Sequence, residues 1–211
     1  MYKIKKVYGY LNLKANFLTI NKNQKYNRNI MKIVFLFLVE TEERKCGIAI
    51  RLDMKKKKVL FISSTGGHLN ELQQLSPLFE KYDYHIITEK DDSTKGLKEK
   101  YGKRISYLPY GTRQKLFKYI FIYTYLCFKT VFLYFKIRPK YIVTTGTHTA
   151  GPMCYFGKIF GSKIIFIETF ANRNRRTVTG KLIYPIADLF IVQWEDMLKL
   201  YPKAVYGGAI Y

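Results

Sequence analysis

The stretch VLFISSTGGHLNEL, residues 59–72, passes from an apolar segment through Gly-Gly-His into a segment with helical spacing. Val59 to Ser63 is short, apolar and β-branched at Val59 and Ile62, as expected of a strand buried on both faces of a parallel sheet. Leu69, Leu72, Leu75, Leu78 and Phe79 then recur every three or four residues, which predicts a helix over Leu69 to Lys81. Further strands are expected at Tyr84 to Thr88, Ile105 to Leu108, Tyr141 to Thr145, Lys163 to Ile167 and Leu189 to Val192. Helical patterns fall between them, near Thr149 to Phe160 and Thr177 to Ala187. This alternation predicts an α/β fold, a Rossmann-like, mostly parallel sheet with flanking helices.

Such sheets bind ligands at the carboxyl ends of their strands. Two loops at those ends carry special residues: Ser64-Thr65-Gly66-Gly67-His68 after the first strand and Thr145-Gly146-Thr147-His148 after the fourth. Glycine lets a ligand approach the backbone closely, and a following helix start favours an anion. The loops therefore suit a phosphate or diphosphate, although a tight turn needing glycine for its geometry reads the same way. Neither a dinucleotide fingerprint nor a P-loop is spelled out.

Bulk properties narrow the partners. The 211 residues carry a formal net charge of +22, with 48% hydrophobic and 17% aromatic residues, too apolar for a disordered chain. Lys100 to Ile167 holds twelve Lys or Arg and no Asp or Glu, so one region is strongly positive and invites an anionic partner. No zinc-finger or RNP-like pattern supports nucleic acid as that partner. Cys46, Cys127 and Cys154 form no C-x-x-C pair, which predicts neither a disulfide framework nor a metal site.

Residues 1–53 read as a separate extension, dispensable or a start-site artefact, because Met54 and "KKKKVLFIS" look like a natural beginning. Ile33 to Val39 is apolar but too short to cross a bilayer. Residues 54–211 form the domain proper.

Leu116 to Phe135, "LFKYIFIYTYLCFKTVFLYF", has the length of a bilayer crossing. Each central Lys costs about 3 kcal/mol on insertion, while the eleven Leu, Ile, Phe and Val return ~5 kcal/mol together. A crossing would also put the first three strands and the last three on opposite sides of the membrane. At about 100° per residue, Lys118, Lys129 and Lys136 share one stripe with Tyr125, and Phe121, Phe128 and Phe132 occupy the surface beside it. That pattern suits a helix lying in the membrane interface, its lysines reaching for headgroups. A buried crossover helix covering the sheet is the alternative, and one helix can do both.

With these residues assembled, "STGGHLNEL", "TTGTHTAGPMCYFGKIFG", "IETFANR", "TGKLIYPIADLFIVQW" and "YPKAVYGG" resemble the acceptor-side subunit of two-chain, membrane-associated glycosyltransferases. That family includes bacterial capsule and exopolysaccharide proteins and the eukaryotic subunit of the enzyme adding the second N-acetylglucosamine to dolichol diphosphate. The resemblance runs from about Lys55 to Tyr211, and the chain is more distantly similar to the N-terminal half of the GT-B enzyme that makes lipid II. It implies the N-terminal half of a GT-B glycosyltransferase, with a polyprenyl-diphosphate-linked sugar as acceptor, no cofactor, and a UDP-sugar held by a donor-binding partner chain. It also implies a peripheral or monotopic place on the cytoplasmic face of the cell membrane. Carried over, Thr65, Gly66, Gly67 and His68 face the acceptor diphosphate, with Gly146, Thr147 and His148 as the second loop. Glu168 occupies the acidic slot after the fifth strand.

Sugar transfer to an alcohol needs a base. His68 is the expected base or acceptor ligand, a capping histidine being the bland alternative. Glu168 is expected to bind an acceptor hydroxyl or orient His68, or else merely to cap a helix. Arg173, with Arg175 and Arg176, is expected at the diphosphate or on a solvated face. His85, inside a strand, is expected to be structural.

Overall fold

A computed structural model describes residues 57–110 and 116–211, together with Ile30, Ile33, Val34 and Phe37; of residues 116–119 it describes the backbone. The expectation for the Lys118 side chain lies outside the described residues.

Seven parallel strands make one sheet: β1 Lys58–Ile62, β2 Asp83–Lys90, β3 Ile105–Pro109, β4 Tyr141–Thr144, β5 Lys163–Ile167, β6 Leu189–Val192 and β7 Val205–Tyr206. Their order is β3-β2-β1-β4-β5-β6-β7. The chain adds strands outward on one side of β1, then returns to β4 on its other side and continues away. The order thus reverses between β1 and β4, which pair through Val59 with Tyr141 and Ile62 with Thr144. Their two following loops start from this point, where doubly wound sheets hold ligands.

The helices are α1 Gly67–Gln73, α2 Ser76–Phe79, α3 Leu97–Tyr101, α4 Leu116–Ile137, α5 Ala150–Ile159 and α6 Val178–Ile183. Alternation along each strand divides the core into two layers. Val59 and Phe61 of β1 enter one layer with Leu72, Leu75 and Leu78, while Leu60 and Ile62 enter the other with Leu126, Leu133 and Met153. In the first layer Ile30 and Val34, both helical, are fully buried against the sheet.

Three local departures from the sequence reading have physical causes. The helix expected over Leu69 to Lys81 is two helices, α1 and α2. Pro77 lacks an N–H for the continuing ladder but suits the first turn of a new helix. The helix expected over Thr177 to Ala187 closes at Ile183 for a related reason, Pro185 following two residues later. The two-residue, exposed β7 was not anticipated.

Helix α4 packs inward through Leu126, Thr130, Leu133 and Tyr134. The Tyr134 hydroxyl lies 2.9 Å from the Ser162 hydroxyl, which donates to the Pro139 carbonyl at 2.6 Å. Outward it shows a stripe of aromatic residues: Phe121 is 77% exposed, Phe128 72% and Phe132 66%, with Tyr125 and Phe135 on the same side. Spaced four, three, four and three residues apart, these five lie on one face. Lys129 Nζ sits 5.7 Å from the Tyr125 ring centroid, and Lys136 is exposed on the same flank. Phe135 meets Phe160 of the following segment with ring centroids 5.0 Å apart, and exposed Ile159 extends the apolar surface.

Candidate functional site

The two glycine loops are fastened to each other at the reversal of strand order. His68, the second residue of α1, donates from Nδ1 to the Thr145 carbonyl at 2.8 Å. The Thr145 hydroxyl donates back to the His68 carbonyl at 2.7 Å. A carbonyl only accepts, so Nδ1 carries the proton and Nε2 of the neutral ring keeps its lone pair. Burial holds the His68 imidazole below its ordinary value, while the Thr145 bond and the charge of Glu89 pull it part of the way back. The ring is therefore neutral near pH 7 and chemically a base.

The glycines open this corner. Gly66 has φ of 74°, a conformation L side chains rarely adopt, and it starts the turn into α1. A Cβ on Gly66 or Gly67 would meet nothing within 4 Å. Gly146 lies against the His68 ring, 3.5 Å from its Cβ position to Nδ1 and Cε1. Thr147 Oγ1 approaches His148 Nδ1 at 3.5 Å. Thus Thr65, Gly66, Gly67, His68, Gly146, Thr147 and His148 are brought together.

Two further carboxylates complete the rim. Glu89, near the end of β2 and 2% exposed, accepts a short hydrogen bond from the Thr149 hydroxyl, and His148 Nε2 lies 3.7 Å from its Oε1. Burial pushes the Asp91 carboxyl up, but hydrogen bonds from Ser93, Thr65 and Thr94 outweigh it and hold it below its usual range. Neither residue was singled out in the sequence. The Glu89 partner Thr149 is 60 positions away, so no local spacing marks Glu89, whereas Asp91 bonds Ser93 and Thr94 two and three positions on, a local helix cap.

Glu168 and Arg173 stand in a neighbouring cluster around the loop after β5. Glu168 is 1% exposed and its oxygens are occupied by groups of the fold. Tyr201 donates at 2.9 Å, Thr177 at 2.9 and 3.1 Å to the two oxygens, and the Thr169 N–H at 3.2 Å. Thr177 in turn caps α6 by accepting from the Gly180 N–H at 2.8 Å. Burial raises the Glu168 carboxyl despite these donors. Arg173 lies 5.1 Å above the Trp194 ring and 3.7 Å from Asp196, while Arg176 bonds the Leu200 carbonyl and covers Tyr201. The two clusters are joined by Glu71 of α1, whose Oε1 accepts from the Thr169 hydroxyl at 3.0 Å and the Phe170 N–H at 2.8 Å. His85 bonds Ser106 on the adjacent strand at 2.9 Å, as a structural histidine does.

A seven-stranded parallel sheet with its open loops at the strand-order reversal is one half of a GT-B-type fold. Solved structures share it. Acinetobacter baumannii MurG matches with a TM-score of 0.54 and 14% identity, over 66% of this chain and 42% of that one. UDP-N-acetylglucosamine 2-epimerase from Rickettsia bellii matches with a TM-score of 0.57 and 15% identity, over 74% and 45%. This chain therefore spans under half of either structure, and at such identities the likeness concerns fold alone.

The chain belongs to the Alg14 family: the family model described as "Oligosaccharide biosynthesis protein Alg14 like" matches residues 59–210. Its relatives include the UDP-N-acetylglucosamine transferase subunit ALG14 of Candida albicans, 29% identical over 74% of this chain and 82% of that protein. The subunit of the same name from Rattus norvegicus is 26% identical over 72% and 82%. A local match to the Kluyveromyces lactis subunit reaches 51% over 49 residues, 23% of this chain and 21% of that protein.

Proposed function

We propose that this chain is the acceptor-binding, membrane-associating subunit of a heteromeric glycosyltransferase. It presents a polyprenyl-diphosphate-linked sugar to a partner chain that holds a UDP-sugar. The observation carrying this reading is the two-way His68–Thr145 clamp, which sets a neutral imidazole beside two open glycine turns at the strand-order reversal. The names of the relatives supply the sugar class, with UDP-N-acetylglucosamine as the first donor to try.

In this mechanism His68 Nε2 takes the proton of the acceptor hydroxyl as its oxygen bonds to the donor's anomeric carbon. The bond from that carbon to the diphosphate breaks, and UDP leaves with the electron pair. Thr65, Gly66, Gly67, Gly146, Thr147 and His148 line the acceptor diphosphate. Arg173 supplies positive charge from the neighbouring loop. Glu168, with its oxygens already engaged, supports the reaction by fixing that loop. The aromatic stripe of α4 with Lys129 and Lys136 lies on the anionic cytoplasmic face of the membrane, bringing the open loops to the lipid-linked acceptor. A role in capsule or exopolysaccharide assembly is the finer setting, supported by the motif resemblance.

The test is co-expression with a candidate donor-binding chain, followed by transfer from UDP-N-acetylglucosamine to polyprenyl-diphosphate-linked N-acetylglucosamine. Turnover should need both chains, and full turnover by this chain alone would refute the reading. A second reading, a non-catalytic membrane scaffold, is favoured by the α4 surface taken alone. His68→Ala separates the two: a base contributes on the order of 10²–10⁴-fold, so turnover should fall by that factor with partner and vesicle binding retained. Unchanged turnover would favour the scaffold.

A further inference from the structure

We propose that Glu71 is a positioning residue of the acceptor site, a buried carboxyl that fastens the loop after β5 to the helix carrying His68. The inference rests on the function proposed above and adds the part that sets its geometry. Glu71 lies three residues after His68 on α1 and is 2% exposed. Its Oε1 holds Thr169 and Phe170, 98 and 99 positions away, so this one oxygen ties the clamp cluster to the loop that carries Arg173.

The other oxygen shows why the group holds its proton up to neutral pH. Among the described residues, Glu71 Oε2 is buried with no hydrogen-bond partner. A bare carboxylate oxygen away from water is costly, and carrying the proton there removes the charge. The neighbouring titratable groups give no relief. Glu168, across the loop, is a second carboxyl and holds three donors against the two on Glu71. Tyr211, from the C-terminal segment, supplies no cation and is itself pushed up when Glu71 ionises, and His68 on the same helix is held neutral by burial. No cation is recorded on Glu71 among the described residues. Of the two carboxyls Glu71, with fewer donors, is the one that holds its proton up to neutral pH. Burial, offset in part by the Phe170 and Thr169 bonds and reinforced by Glu168, moves it from an ordinary 4.5 up to about 7.

Glutamine copies the protonated acid: its carbonyl accepts the same two bonds and its NH₂ replaces the O–H. In the co-expressed complex on vesicles, Glu71→Gln should leave the KM for the lipid-linked acceptor within about two-fold of wild type. Glu71→Leu, losing both bonds, should raise it about ten-fold or more, with the KM for the UDP-sugar unchanged. Thr169→Val should raise it about three-fold alone and add nothing in the Glu71→Leu background. An unchanged acceptor KM in Glu71→Leu, or damage from Gln equal to that from Leu, overturns the proposal.

A thermal arm needs no turnover, so it tests Glu71 even if the wild-type complex transfers no sugar, a result that would count against the proposed function instead. Between 4.5 and about 7 the folded chain keeps a proton on Glu71 that the unfolded chain releases, so raising the pH through this window removes the contribution of Glu71 to stability. Glu71→Gln lacks that loss, so its Tm advantage should grow from pH 5 to pH 8. A Tm difference independent of pH would also overturn the proposal.

Discussion

His68 and Thr145 stand 77 positions apart and exchange two hydrogen bonds, so the character of the imidazole is set by a neighbour that local sequence does not reveal. Because burial lowers the His68 value from 6.5, its base form persists into mildly acid solution. The acid limb of the kcat profile should therefore fall at a pH below 6.5, and a limb above that value would assign the base elsewhere. Gly180 packs against the Glu168 cluster. A Cβ there would collide with Glu168 Oε2 and lie 2.5 Å from the Tyr201 hydroxyl and 2.7 Å from Thr177 Oγ1. Gly180→Ala should cost about 1–3 kcal/mol, as overpacking does. The check is the thermal midpoint, and an unchanged value would mean that the Glu168 cluster is loosely held. Gly66 and Gly67 were visible as a turn from the sequence because glycine marks its own backbone requirement. Glu71 and Glu89 were not, since a carboxylate on a helix or strand reads as a solvated face until its distant partners are known.

At the scale of elements, apolar runs such as Val59–Ser63 and Lys163–Ile167 were legible because strands buried on both faces leave no room for polar residues. Strand β7 was illegible for the opposite reason: two exposed residues carry no period. The break between α1 and α2 was written in Pro77, but a regular leucine spacing runs across it, and that spacing reports only which side faces the core. Helix α4 shows the same ambiguity. Its apolar residues serve two surfaces, one packed through Leu126 and Leu133 and one bare through Phe121, Phe128 and Phe132. Replacing those three phenylalanines by Glu should weaken binding to phosphatidylglycerol-rich vesicles by at least about ten-fold and leave the Tm nearly unchanged, because the side chains point away from the core. Lys129→Glu and Lys136→Glu should each weaken it further, since a basic residue near an anionic surface contributes about 1 kcal/mol. Co-sedimentation reads both effects, and vesicle binding that survives all five changes would remove α4 from the membrane.

For the whole molecule, the decisive question is what covers the first face of the sheet near β5 and β6. A parallel sheet needs both faces covered. α1, α2 and α3 supply that layer around β1, β2 and β3, where Leu72, Leu78 and Leu97 meet the core. Near β6 the layer is completed by Ile30 and Val34, with Ile33 and Phe37 packed beside them. The spacing 30, 33, 34, 37 is the inward stripe of an amphipathic helix. Gly207 yields to it: a Cβ there would sit 2.7 Å from Ile30 Cγ1 and 2.8 Å from Ile191 Cγ2. Within the apolar run Ile33–Val39, too short to span a bilayer, Ile33, Val34 and Phe37 pack on the sheet. The composition of residues 1–53 argues for a dispensable extension, and the burial of Ile30 argues against it. Measured stability decides between them. Ile30→Ala should cost about 2–5 kcal/mol, the usual penalty for emptying a buried isoleucine site, and Val34→Ala somewhat less. A chain beginning at Met54 should melt lower than either variant and bind an apolar dye such as ANS on the uncovered face. If it instead melts with the full-length chain, the layer over β6 is closed without Ile30 and the extension is indeed free to be lost.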